Sequence, residues 1–108
     1  MNKKNLLLLT LMSCIYPMAV FAAIECEGIP NRTKVGEFGA QEKYSYVSIS
    51  GKDYRLGETV QDDTKARLAL ASTALVSDKN LLLRFYREPT CDSASANRTI
   101  PNSVQLVR

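Results

Sequence analysis

Three observations in this sequence predict a small, mainly β domain carrying one α-helix. Segments around residues 44–50, 81–87 and 103–108 are rich in aromatic, leucine and valine residues and are bounded by turn formers, which is the pattern of short strands. A single alanine- and leucine-rich stretch over 62–77 interrupts them with helical composition. Two cysteines, Cys26 and Cys91, stand near opposite ends of the domain once an export signal is set aside. Such a pair reads as one long-range disulfide that staples a small core.

The export signal is predicted over residues 1–22. Lys3 and Lys4 precede an apolar stretch from Leu6 to Phe21, and Val20-Phe21-Ala22 ends at residues that a signal peptidase reads. The stretch is short for a membrane span of roughly 20 residues and is broken by Pro17. Leu11-Met12-Ser13-Cys14 fits a lipoprotein site poorly, because Met12 is out of pattern and the apolar run continues past Cys14. Cleavage after Ala22 leaves one domain, 23–108, in the periplasm or outside the cell. Of the 108 residues, 14 are Lys or Arg and 11 are Asp or Glu. Two of the lysines leave with the signal, so the domain is close to neutral. Nucleic acid is therefore excluded as a partner, since clustered cations would be needed to displace counterions from phosphates.

Element by element, Arg32 to Phe38 is a weak strand candidate. Tyr44-Ser45-Tyr46-Val47-Ser48-Ile49-Ser50 is a clearer strand, Ser50-Gly51-Lys52 a tight turn, and Asp53-Tyr54-Arg55-Leu56 the return strand of a hairpin ended by Gly57. Asp62, Asp63 and Thr64 are capping candidates for a helix from Asp62 to Ser77. On a helical wheel Leu68, Ala71, Leu75 and Val76 share one face, predicted to lie on a sheet. Ala66, Leu70 and Ala74 occupy the other. A helix apolar on two sides in so small a domain predicts a subunit contact through Ala66, Leu70 and Ala74. After the turn Asp78-Lys79-Asn80, Leu81 to Arg87 is the strongest strand and Glu88-Pro89 stops it. Residues 90–101 read as a polar loop, and Ser103 to Arg108 as a closing strand.

Three strands, a helix and two further strands are the order of a small Greek-key barrel of about five or six strands, of the oligonucleotide/oligosaccharide-binding (OB) type, with its helix between the third and fourth strands. In the chain-entropy picture, a disulfide between Cys26 and Cys91 contributes on the order of 4 kcal/mol to such a domain.

The runs VSISGKDYRL (47–56), LLLRFYREPTC (81–91) and SVQLVR (103–108), with the alanine-rich helix between them, resemble the B subunits of bacterial AB toxins whose binding part is a ring of five. The layout is similar to that of Shiga toxin B subunits, and FYREP (85–89) looks like the strand after the helix in subtilase-type toxin B subunits. The resemblance implies a homopentamer with its helices around a central channel, cell-surface glycans as partners, and a separate catalytic A subunit docked over the channel.

The sugar-contacting residues of those toxins do not carry over, because the loops before the helix and after Cys91 are longer here and the tryptophan of Shiga-type B subunits is absent. Residue type supplies candidates instead. A pyranose asks for an aromatic face and a few fixed donors and acceptors. Tyr54 and Arg55 on the hairpin, with Asn97 and Arg98 after Cys91, are the glycan-binding candidates, and Tyr86 joins the subunit-interface set. An enzyme is not expected. The chain has no histidine, its remaining cysteines pair, and no Gly-rich phosphate loop or metal-ligand cluster appears, so no cofactor is implied. The competing reading is a small periplasmic or secreted OB-fold protein that binds another protein or a small ligand, such as an inhibitor or an envelope-stress protein.

Overall fold

The computed structural model describes residues 22–36 and 43–108. Most of the proposed signal, Cys14, and the Glu37-Phe38 end of the first strand candidate lie outside the described residues. Two three-stranded antiparallel sheets and two helices make up the domain, in the order β1 (Ile24–Gly28), β2 (Pro30–Val35), β3 (Tyr44–Ile49), β4 (Lys52–Glu58), α1 (Asp62–Ser77), β5 (Asn80–Phe85), α2 (Cys91–Ala96) and β6 (Ser103–Val107). One sheet has the order β1-β5-β6 and the other β2-β3-β4.

The β1 strand is an addition to the sequence reading, which begins strand structure at Arg32. Its alternation is strict: Cys26 is buried while Glu25 and Glu27 point to solvent. Only Ile29 separates β1 from β2, so one run of chain serves both sheets. Gly28 makes that passage feasible, because a Cβ there would collide with the Ile49 side chain. With β1 counted, α1 follows the fourth strand rather than the third.

Strands β3 and β4 form the expected hairpin. Ser50 and Gly51 both have positive φ, at 54° and 78°, as a two-residue type I′ turn requires. Ile49 pairs with Lys52, Val47 with Tyr54 and Ser48 with Asp53. Val47, Ile49, Tyr54 and Leu56 from this hairpin meet Leu81, Leu83 and Phe85 of β5 in one core.

The α1 helix spans the predicted residues but is rotated from the predicted face. Ala71 and Ala74 are fully buried, Leu68 and Leu70 pack partly against the core, and Val76 is 81% exposed. Ala74 therefore belongs to the core of its own chain and does not join Ala66 on an outer surface. Apolar residues all round the helix leave its wheel with little directional signal, and alanine permits the closest approach to the sheet. At its start the cap position is Gln61, which makes no side-chain cap bond, while Asp62 and Asp63 place negative charge in the first turn. Thr64 is buried against Gly57, which has a φ of 134° and no room for a Cβ. Arg67 ties α1 to β4 by donating from Nη1 to the Leu56 carbonyl at 2.9 Å.

Residues 90–101, read as loop, contain α2. A capping box starts it: Ser93 N–H donates to Thr90 Oγ1 at 3.1 Å and Thr90 N–H to Ser93 Oγ at 3.3 Å. The Cys26–Cys91 disulfide joins the first residue of α2 to β1. Glu88 braces the same segment from below. Its carboxylate accepts from Ser93 Oγ at 2.7 Å, from Asn97 Nδ2 at 3.3 Å and from Thr99 Oγ1.

Candidate ligand-binding site

Antiparallel register aligns two rows of side chains on the outer face of β2-β3-β4. Lys34 pairs with Tyr46, which pairs with Arg55; Arg32 pairs with Ser48, which pairs with Asp53. Residues two apart on a strand share a face, so these six form one polar and aromatic surface, while Val47 and Tyr54 point into the core.

Asp53 is the hub of the second row. Its carboxylate accepts from Ser48 Oγ, and Lys34 Nζ lies 3.4 Å and Arg32 Nη2 3.7 Å away. Arg32 Nε also donates to Ser48 Oγ at 3.2 Å. The Ser48 hydrogen bond, joined by the positive charges of Lys34 and Arg32 and opposed by partial desolvation, holds the Asp53 carboxyl below its ordinary range. In the first row, Arg55 Nη2 donates to the Tyr46 hydroxyl at 3.1 Å and stacks its guanidinium 3.7 Å from the Tyr44 ring centre, while Lys34 Nζ lies 5.2 Å from the Tyr46 ring centre.

The second wall comes from α2. Ser95 Oγ donates to the Asp53 carbonyl at 2.8 Å, and Lys52 Nζ pairs with Asp92 at 3.2 Å. Just beyond α2, Arg98 holds a φ of 55°, a left-handed conformation uncommon for a bulky side chain. Its N–H is fixed to the Ser95 carbonyl at 3.1 Å, and the next N–H, of Thr99, to the Ala94 carbonyl. Between these walls lies an open depression of about 360 Å³, bordered by Lys34, Tyr46, Gly51, Lys52, Asp53, Ser95 and Arg98. A second, of about 320 Å³, shares Gly51 and Asp53 and extends to Asn31 and Arg32. Both volumes fall in the small-ligand range of about 300–1,000 Å³, and the lining of the first is mostly polar.

Of the four glycan-binding candidates, Arg98 borders the depression. Arg55 acts on it through the Tyr46 hydroxyl. Asn97 turns its amide to Glu88 and braces the loop. Tyr54 is 2% exposed, with its ring centre 6.0 Å from that of Phe85, and burial pushes its phenol pKa upward, helped by the negative charge of Asp92. Tyr54 and Arg55 are neighbours on a strand and so face opposite sides; the aromatic ring on the polar side is that of Tyr46, itself only 5% exposed beneath Lys34 and Arg55. Sequence reasoning also missed Lys34, Asp53 and Ser95. The alternation of Arg32-Thr33-Lys34 carried the signal for Lys34, and that of Asp53-Tyr54-Arg55 the signal for Asp53.

Of the interface candidates, Ala66 is exposed, Leu70 is half-buried in its own domain and Tyr86, just after β5, is 52% exposed. The outer side of α1 carries Ala66, Ala69, Thr73 and Val76. Among the described residues no helix is long and apolar enough to cross a membrane.

Comparison of the chain with protein-family models, with curated proteins and with solved structures finds no match in any of the three.

Proposed function

We propose that this chain is an exported, non-catalytic glycan-binding subunit that assembles as a homopentamer, in the manner of the B subunits of AB toxins, with a separate catalytic A subunit as its cargo. The observation that carries the reading is the open polar depression walled by β2-β3-β4 and α2. A carboxylate that stays ionised, hydroxyls and cationic donors converge on one concave surface above the buried Tyr46 ring, which is what a hydroxyl-rich ligand asks for and what an apolar ligand does not.

The fold is consistent with an OB-type barrel if Ile24 to Val35 is taken as one bent strand shared between the sheets, which returns α1 to its place between the third and fourth strands. Assembly is supported by the small, weakly apolar side of α1 and by the outer edges of β2 and β6, which are edge strands of the two sheets and offer backbone for pairing between copies.

Light scattering on the exported, disulfide-bonded protein tests the assembly: five protomers support the ring, and a monomer removes it. Glycan-array binding tests the ligand. A monomer without sugar binding returns the protein to the reading of a small barrel with a protein or small-ligand partner.

A further inference from the structure

The disulfide is not sealed inside the domain. Cys26 is 3% exposed and belongs to the core, whereas Cys91, the first residue of α2, is half-buried at the surface. Both cysteines line an open cleft of about 230 Å³ between β1 and the turn of the β3-β4 hairpin, and its rim carries Glu25, Glu27 and Lys52. Glu25 pairs with Arg84, and Lys52 with Asp92 at 3.2 Å, while Glu27 has no charged partner among the described residues. The cleft over the two sulfurs is therefore negative on balance.

A disulfide closed inside a core meets a thiol only after the chain unfolds, but one that opens to solvent exchanges in the folded state. We propose that Cys26–Cys91 is a thiol–disulfide exchange site that works through Cys91 and takes a dithiol partner with positive charge around its reactive thiol. The partner's thiolate attacks Cys91 Sγ and forms a mixed disulfide there. The Cys26–Cys91 bond breaks, and its electron pair leaves on Cys26 Sγ, which takes up a proton. The partner's second thiol, once deprotonated, attacks its own bonded sulfur, closing the partner's disulfide and releasing Cys91 as a thiolate that is protonated in turn. Run backwards, the same centre accepts an oxidised partner and makes the bond after export. Cys26 does not take the partner directly because the core covers it, and Glu27 opposes an anionic thiol. Once the bond is reduced, α2 is held by Ser95, by the Lys52–Asp92 pair and by Glu88, so the partner's redox state sets how firmly that helix is seated.

The test follows reduction of the exported, disulfide-bonded protein by cationic cysteamine, neutral mercaptoethanol and anionic mercaptoacetate. Each rate is divided by that thiol's rate on a small neutral disulfide, so that intrinsic nucleophilicity cancels, and partial reactions are quenched in acid for peptide mapping. Cysteamine is expected to react about threefold or more faster than mercaptoacetate on this scale, as one nearby surface charge supplies, with mercaptoethanol between them and the spread shrinking as salt is raised. The mixed disulfide should map to Cys91, with Cys26 as the free thiol. Glu27→Gln should melt like the wild-type protein while oxidised and should remove most of the spread. A rate that levels off with rising thiol concentration, which shows the bond being reached only through unfolding, overturns the inference. So does a mixed disulfide at Cys26, equal scaled rates for the three thiols, or a spread that survives Glu27→Gln.

Discussion

Ser95 donates its hydroxyl to the main-chain carbonyl of Asp53 across 2.8 Å, joining residues 42 positions apart in sequence. This bond seats α2 on the hairpin and makes one wall of the depression depend on the other. Ser95→Ala is expected to cost about 1 kcal/mol, the ordinary worth of such a hydrogen bond, while weakening ligand binding by more than the loss of stability explains. Urea denaturation beside a binding titration separates the two effects.

The disulfide holds the same wall. With Cys26 and Cys91 both replaced by serine, stability is expected to fall by on the order of 4 kcal/mol. Ligand affinity should also drop in whatever folded protein remains, because α2 carries Ser95 and positions Arg98. Reduction of the wild-type protein under native conditions should reproduce the second effect, read as lost binding at unchanged far-UV circular dichroism.

Glu88 gives the fold an acid limit. The Thr99 hydrogen bond first, then that of Ser93 and that of Asn97, hold its carboxyl below the ordinary glutamate value, with desolvation opposing them. A carboxylate lowered in the folded state stabilises it above the unfolded pKa, and that contribution is lost as pH falls through the folded value. Melting temperature should thus decline on the acid side of the ordinary glutamate range. Glu88→Gln should be less stable at neutral pH and should show a shallower acid decline, as thermal melts across pH would record.

Two tyrosines on the hairpin should behave differently. Tyr54→Ala removes a buried ring packed on Phe85 and is expected to cost about 3–5 kcal/mol. Tyr46→Phe keeps the ring and removes only the hydroxyl that Arg55 donates to, so it should stay folded and lose ligand affinity.

On α1, Ala66→Glu and Val76→Glu should leave the monomer folded and break any ring built on that side. Ala74→Glu, which buries a charge in the core, should fail to fold. Solution mass and thermal melts distinguish these outcomes.

These contrasts also mark what the amino-acid order could reveal. The limits of α1 were legible because composition changes sharply at Asp62 and again at Asp78-Lys79-Asn80, and the β3-β4 hairpin because Ser50-Gly51 is a turn between alternating segments. Ile24-Glu25-Cys26-Glu27-Gly28 alternates as strictly as any strand here, yet it is short and sits beside the expected signal, so it passes as a lead-in. A six-residue helix such as α2 has too few turns to show a period; its one signal is the Thr90-x-x-Ser93 capping box. The site was half legible. Residue type selects Arg98, but the convergence of Lys34, Asp53 and Ser95 needs three strands in register and a disulfide, and no local pattern encodes those.

The most direct test of the account is retention of the exported, disulfide-bonded protein on a panel of immobilised glycans, run beside Asp53→Asn and Arg98→Ala variants whose melting curves show them folded. The account predicts that the wild-type protein is retained and that both variants lose retention on the same glycans. A folded wild-type protein that no glycan retains would contradict it.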